Sequence, residues 1–292
     1  MPEHAEPLAV DGWAVHVPGR SAAELPGSPA EPACPPDRAK EVLGRKGLLG
    51  KEPSTRLALC AVHRALGLPP GRPAEPLPGA AGTAVVVASN FGNVETVCTV
   101  LTDMRERSGN AVSPMDAPNA SSNVIASTIA IWYGFTGPNL TVCSGATAGL
   151  DALRLARLLL LSGRAERAVV VGVEPADPVA TRLAALRPEP GAELVAAAGV
   201  VLLGRPGAWP EPSGLVCGPV LRHRDPVPVV GPDPGETYGA AGIVRLAVAA
   251  SRMAGAAPGA LPVTVGCGDV EDGWASVELS RAAHLLRAGA AA

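Results

Sequence analysis

The sequence predicts an α/β fold in which helices pack in layers on a mainly buried sheet. Short apolar runs rich in valine, such as TAVVVAS at 83–89, are typical of strands buried on both faces. These runs alternate with longer segments whose apolar residues recur at helical spacing. The hydrophobic fraction of 47% is too high for a disordered chain, although glycine and proline supply 34 and 31 of the 292 residues.

The first 205 residues contain most of the predicted elements. The chain opens with a strand at 8–17, where apolar and polar residues alternate, and a proline-rich loop follows at 20–37. Helices and buried strands then alternate, with breakers such as GLPPGRP and GFTGPN ending the helices. The predicted helices lie at 53–66, 94–107, 122–133 and 147–161, and the further predicted strands at 83–89, 140–143, 168–173 and 197–203.

The remainder of the chain is predicted to hold fewer elements. Residues 206–233 are rich in proline and glycine, and we interpret them as an irregular connection across one domain. A helix at 240–253 and strands at 261–265 and 274–279 are too few for an independent second domain. Residues 1–292 are therefore expected to form a single domain.

Composition argues against several classes of function. Twenty-four basic and 27 acidic residues give a net charge of −3 with no basic block, so we expect no nucleic-acid partner. The longest apolar runs are about half the ~20 residues that span a bilayer, and the N-terminus does not resemble a signal peptide, so we expect a cytoplasmic protein without a membrane partner.

The cysteines and histidines predict neither a disulfide nor a metal site. Six cysteines lie far apart without a CxxC pair, which is typical of buried thiols. His16 and His63 have no second ligand at a metal-binding spacing, so we expect each to satisfy local packing or to face solvent. No metal and no cofactor are expected.

Several motifs together resemble the β-ketoacyl synthases, which have the thiolase fold. The segment TGPNLTVCSGATAGLDALRLARLLLLSGRAERAVVVGVE at 136–174 is similar to their nucleophile region, and GETYGAAG at 235–242 is similar to their GHxxGAAG segment. Further similarity is present at 46–59, 85–93 and 117–126. The resemblance implies α/β/α/β/α layers with a complete first half at 1–205 and a truncated second half at 234–292.

The same resemblance implies that the catalytic machinery is lost. Ala146 stands where the family has its condensing cysteine, which needs a helix N-terminus to favour the thiolate that accepts the acyl chain. Glu236 stands in place of one active-site histidine, and the HGTxT segment that carries the other is missing from 206–233. We therefore expect Ala146 and Glu236 to be vestigial positions and the chain to have no condensing activity.

A ketosynthase-like chain without its nucleophile resembles the chain length factors of type II polyketide synthases, in particular short forms associated with reduced, polyene-like products. That resemblance implies a heterodimer with an active ketosynthase and transient contact with an acyl carrier protein. It also implies an acyl tunnel lined by one helix and a dimer interface around the strand that precedes the nucleophile position. The expected tunnel residues are Val94, Val97, Cys98 and Leu101, and the expected interface residues are Trp132, Tyr133, Leu140, Thr141, Val142 and Cys143.

Two other readings remain open from the sequence. Cys143 lies three residues before Ala146 and is an alternative nucleophile for an acyltransferase, although a small buried residue at a strand end is the favoured interpretation. A decarboxylase acting through unidentified residues belongs to the same enzymatic class of readings. A homodimeric scaffold that retains only the fold is the other reading.

Overall fold

The fold is described by a computed structural model that covers residues 6–114, 116–187, 192–228, 231–232 and 234–282. In these ranges no helix has the length and apolar character needed to cross a membrane.

The described chain contains nine strands and seven α-helices. The strands are β1 (Leu8–His16), β2 (Thr83–Ala88), β3 (Asn139–Val142), β4 (Arg167–Glu174), β5 (Ala197–Gly204), β6 (Leu215–Cys217), β7 (Leu221–His223), β8 (Val263–Asp269) and β9 (Gly273–Arg281). The helices are α1 (Lys40–Leu43), α2 (Pro53–Ala65), α3 (Val94–Glu106), α4 (Val124–Tyr133), α5 (Ala148–Leu161), α6 (Pro178–Ala184) and α7 (Ala241–Gly255).

The strands form one curled sheet with β3 at its edge. The order is β3-β2-β4-β5-β1-β6-β9-β7, and β8 pairs with β9 beside this path. Strand β2 is parallel to both neighbours, β3 and β4, whereas β4–β5 and β5–β1 are antiparallel. Strands β2, β4 and β5 are apolar and almost wholly buried, as expected for strands covered on both faces.

Alternate residues of these strands face two separate cores. In β2, Val86 belongs to a core built with α5 and α7, whereas Val85 and Val87 belong to a core built with α2 and α4. Helix α7 lies close to the sheet because two strand positions facing it are glycine. A Cβ added at Gly199 would be 2.6 Å from Val244 Cα, and one added at Gly172 would be 2.8 Å from the carbonyl oxygen of Ala240.

Strands β8 and β9 turn one side to α7 and carry small or polar residues on the other side. In β9, Ala275, Val277 and Leu279 are core residues, and the side chains between them are Ser276, Glu278 and Ser280. Among the described residues no helix covers this outer side. The proline-rich segment lies over part of it, since an added Cβ at Gly266 would be 2.8 Å from Val227.

The segment predicted to be wholly irregular contains short strands. Within 206–233, β6 and β7 are three residues long, and both pair with β9 far along the chain. Their sequences, LVC and LRH, are too short to show a period, so only the distant partner creates them. The other predicted strands and α-helices are found near their expected positions.

Candidate functional site

The candidate site is the tight turn that leads from β3 into α5. Gly145 has a φ of 69°, which favours glycine, and Gly145–Thr147 form one 3-10 turn before the helix begins. Ala146, in the middle of this turn, is buried. Its backbone N–H is one of the free donors at the start of a helix, where a negative group is stabilised.

That backbone donor is already occupied by a carboxylate of the same chain. Asp272, in the hairpin between β8 and β9, accepts the N–H of Ala146 at 2.7 Å through Oδ2. A Cβ added at Gly145 would lie 1.9 Å from the same oxygen, so this approach requires glycine at position 145. Asp272 thus sits on the turn at the place where an oxyanion or thiolate would otherwise be stabilised.

A second group fixes the turn from the side of β2. Asn90 accepts the N–H of Gly145 at 3.0 Å and donates its amide to the carbonyl oxygen of the same residue, also at 3.0 Å. Asn90 is itself held by Glu174, a fully buried carboxyl that accepts the backbone N–H groups of Asn90 at 2.7 Å and Phe91 at 2.9 Å. Burial raises the pKa of Glu174 to about 7, against the lowering effect of these hydrogen bonds.

Aromatic and charged side chains fill the region beside the turn. Tyr238, with a φ of 41°, stacks on Phe91 at 5.2 Å between ring centroids. The guanidinium of Arg187 lies 4.1 Å from the centroid of the same tyrosine ring and forms an ion pair with Asp269. Arg187 therefore links the Tyr238 ring to Asp269, which lies in the same hairpin region as Asp272.

Glu236 has a local role in the structure. Its Oε1 accepts the backbone N–H of Tyr238 at 2.7 Å, and its carbonyl oxygen accepts the N–H of Val195. The carboxylate therefore stabilises the bend before α7.

Cys143 is exposed but not activated. Its thiol donates to the carbonyl oxygen of Ser89 at 3.0 Å, and burial, followed by the charge of Glu174, raises the pKa of Cys143. Of the histidines that the structure describes, none supplies a base to this thiol. His16 contacts Cys34, His63 contacts Pro69 and Tyr133, and His223 contacts Ser276.

Helix α3, the predicted tunnel helix, has no buried residue in the isolated chain. Val94 and Val97 are half-buried, whereas Cys98 is exposed and Leu101 is 58% exposed. An apolar helical face that stays partly or largely exposed in its own chain is typical of an interface.

The expected interface residues divide into two groups. Leu140, Thr141 and Val142 belong to the edge strand β3 and are half-buried, and Cys143 follows them. Trp132 and Tyr133 differ from this group, because both are buried in the core of this chain.

The two aromatic residues on α4 are held by partners within the chain. The Tyr133 hydroxyl donates to the carbonyl oxygen of Leu59 at 3.1 Å. The guanidinium of Arg72 lies 4.7 Å from the ring centroid of Trp132. Sequence analysis could not separate core from interface here, since both environments favour large aromatic side chains.

Two surface residues beside β3 were missed by sequence analysis. Ile131 on α4 is 73% exposed and Leu158 on α5 is 59% exposed, so each helix that flanks the edge strand presents one large apolar side chain. Leu158 lines a groove of ≈ 590 Å³ together with Val142 and Val220. The sequence signal for Ile131 is its place in α4, because residues two positions apart on a helix lie on nearly opposite faces and Tyr133 is buried.

Comparison with known proteins agrees with this architecture. Residues 46–185 match the family described as beta-ketoacyl synthase, N-terminal domain. The chain is 31% identical over 98 residues to 3-oxoacyl-(acyl-carrier-protein) synthase 2 of Vibrio cholerae, and the aligned segment spans 34% of this chain but only 24% of that protein.

Two solved structures share the fold over nearly the whole chain. The ishigamide ketosynthase/chain length factor superimposes with a TM-score of 0.74 at 20% identity, covering 94% of this chain and 99% of that chain. A type II PKS acyl-carrier protein in complex with its ketosynthase bound to the hexaketide gives a TM-score of 0.70 at 11% identity, with the same coverage.

The layered sheet and the glycine turn before α5 define a thiolase-like α/β protein. Within that class, residues 46–185 are similar to the N-terminal domain of the β-ketoacyl synthases.

Proposed function

We propose that the chain is a non-catalytic, chain length factor-like subunit of a type II polyketide synthase, and that it pairs with an active ketosynthase. The observation that carries this proposal is the bond from the Ala146 N–H to Asp272, because the donor that would stabilise a reacting anion is used within the fold. Similarity to a ketosynthase/chain length factor structure over 94% of the chain supports the same assignment.

The edge strand β3 supplies the surface for the partner. Its inner side bonds to β2, since Pro138 and Val142 accept the N–H groups of Val85 and Ser89 at 2.8 and 3.1 Å. Successive residues of a strand direct their backbone groups to opposite edges, so Asn139 and Thr141 turn theirs away from β2. An open edge flanked by exposed apolar side chains needs a covering partner.

In the proposed complex, α3 contributes one wall of the acyl tunnel. Val94, Val97, Cys98 and Leu101 form an i, i+3, i+4, i+7 face of small to medium side chains. Such a face leaves space for a chain of intermediate length, which fits a reduced, polyene-like product. In this proposal the condensation takes place in the cytoplasm. The partner ketosynthase supplies the nucleophile, and an acyl carrier protein delivers the substrate.

Co-expression tests the proposal. The chain is produced alone and together with an active ketosynthase of a type II polyketide synthase, and the masses of the assemblies are measured by native mass spectrometry. We expect a one-to-one heterodimer that elongates a carrier-bound acyl chain, whereas the chain alone is inactive. A stable homodimer that does not bind the ketosynthase would support the hypothesis of a homodimeric scaffold and overturn the proposal.

The alternative hypothesis, an acyltransferase that uses Cys143, makes a different prediction. If Cys143 were a nucleophile, incubation with an acyl carrier protein thioester would add the acyl mass to that cysteine. We expect no such adduct, because the thiol has no base beside it in the described chain and the pKa of Cys143 is raised.

A further inference from the structure

Two cysteines and one histidine meet in a buried cluster away from the candidate site. His16 is the last residue of β1, Cys34 lies in the long loop that follows, and Cys60 lies on α2. One ring nitrogen of His16 and the two sulfur atoms are all within 4.8 Å of one another. The three residues are only 0%, 8% and 1% exposed, so this cluster is closed to solvent.

One ring nitrogen of His16 is available to coordinate a metal ion. Its Nε2 lies 2.8 Å from the carbonyl oxygen of Cys34, and a carbonyl can only accept, so Nε2 carries the proton. In the neutral ring the other nitrogen, Nδ1, then offers a lone pair. It is buried and has no hydrogen-bond partner. A histidine that donates one N–H to a backbone carbonyl and offers the other nitrogen is the usual arrangement beside a metal ion.

We propose that His16, Cys34 and Cys60 bind one thiophilic d¹⁰ cation, with Zn²⁺ as the expected ion. Two thiolates and a neutral imidazole are donors that Zn²⁺ prefers, and the two negative charges balance the ion in a buried place. Monovalent copper accepts the same soft donors, so metal analysis must distinguish the two ions. Binding displaces one proton from each thiol to solvent, and nothing is oxidised or reduced.

The site would add a further anchor to the long loop that follows β1. Residues 17–35 contain no helix or strand, and Cys34 lies near the end of this stretch. A metal ion held by Cys34, His16 and Cys60 would tie the loop to both the sheet and α2. Metal binding is then linked to folding, and removal of the ion lowers the melting temperature.

Metal analysis of the untagged full chain tests the proposal. The chain is purified under reducing conditions, and its metal content is measured by inductively coupled plasma mass spectrometry. We expect about one zinc per chain in the wild type and less than about a tenth of that in His16→Asn and Cys60→Ser, because each variant removes one of three ligands. Cys217→Ser is the matched control, since Cys217 is equally buried but lies in the other core.

A second measurement does not depend on the folding of any variant. Replacement of the bound ion by Co²⁺ in the wild-type chain should give a thiolate-to-metal charge-transfer band, which reports sulfur ligands directly. Wild-type chain that stays free of zinc and copper after expression with added metal, and gives no such band, would overturn the proposal. A Cys34–Cys60 disulfide found after rapid alkylation of the cell lysate would do the same.

Discussion

Asp272 and Ala146 show how one backbone donor changes its role. In the proposed subunit the N–H of Ala146 holds a hairpin of the same chain in place, so the turn serves folding where the family uses it for chemistry. Restoring the nucleophile alone should therefore not restore the reaction.

The first prediction concerns Ala146→Cys. We expect this variant to remain inactive as a condensing enzyme, because Asp272 places a negative charge beside the new thiol and disfavours its thiolate. Adding Asp272→Asn should increase the rate of alkylation at position 146 by about tenfold at pH 7. Rates are measured by mass spectrometry in a Cys143→Ala background, and equal rates in the two variants would contradict the role given to Asp272.

The second prediction concerns the buried carboxyl of Glu52, which precedes α2. Burial raises its pKa from 4.5 to about 7, and its Oε2 has no hydrogen-bond partner. The folded chain keeps this proton up to about pH 7, whereas the unfolded chain loses it near 4.5. Ionisation therefore opposes folding, and the contribution of Glu52 to the free energy of unfolding falls as the pH rises from 4.5 to 7.

Glu52→Gln removes this titration. At pH 8 we expect the variant to be more stable than the wild type by about 1–3 kcal/mol, and at pH 4.5 we expect the difference to be close to zero. Urea denaturation at both pH values measures the free energy of unfolding. A difference that is the same at the two pH values would show that the charge of Glu52 is not its cause.

Residue-scale features were the least predictable from sequence. The bond between Ala146 and Asp272 joins positions 126 residues apart, and no spacing in GCGDVEDGW marks which carboxylate turns inward. The cluster of His16, Cys34 and Cys60 has spacings of 18 and 26 residues, which match no metal-binding pattern. Only the fold brings these side chains together.

At the scale of elements, apolar periodicity predicted the layers well. Strands β2 and β4 lie within one residue of the predicted ends, because continuous valine-rich runs occur only in strands covered on both faces. Strands β6 and β7 were not predicted, since pairing with β9 rather than local preference forms them. The proposed vestigial role of Ala146 comes from the sequence alone, because the flanking segment resembles the nucleophile region of the β-ketoacyl synthases.

Helix α3 gives the third prediction. In the complex with the ketosynthase, Leu101→Trp should shorten the products, because a larger side chain on the exposed apolar face narrows the proposed tunnel. Thr99→Trp is the matched control, since Thr99 is also exposed but lies on the opposite side of the helix. Products are identified by liquid chromatography and mass spectrometry, and identical products from both variants would contradict the tunnel assignment.

Strand β3 gives the fourth prediction. Thr141→Pro removes a backbone N–H from the outer edge and leaves the bonds to β2 in place, so it should abolish co-purification of the ketosynthase. Thr141→Val is the control, because it also loses the hydroxyl that donates to Asn123 but keeps the N–H. If the proline variant still co-purified with its partner while retaining a wild-type circular dichroism spectrum, β3 would not be the contact strand.

At the scale of the whole molecule, substitution of an exposed apolar residue should weaken the heterodimer at one end of the sheet and leave it unchanged at the other. Ile131 lies on a helix that packs beside β3, whereas Leu261 lies just before β8 at the other end. We expect Ile131→Lys to raise the dissociation constant of the heterodimer by about 10- to 100-fold, and Leu261→Lys to leave it unchanged. Analytical ultracentrifugation measures both, and equal effects would place the interface elsewhere.

The outer side of β9 bears on the tendency of the chain to aggregate. A sheet stripped of its covering helices usually offers an apolar face on which other molecules aggregate. Here that side carries Ser276, Glu278 and Ser280, and the proline-rich segment crosses part of it. Hydroxyl and carboxylate groups form no apolar face, so other molecules gain little by packing on this side of the sheet.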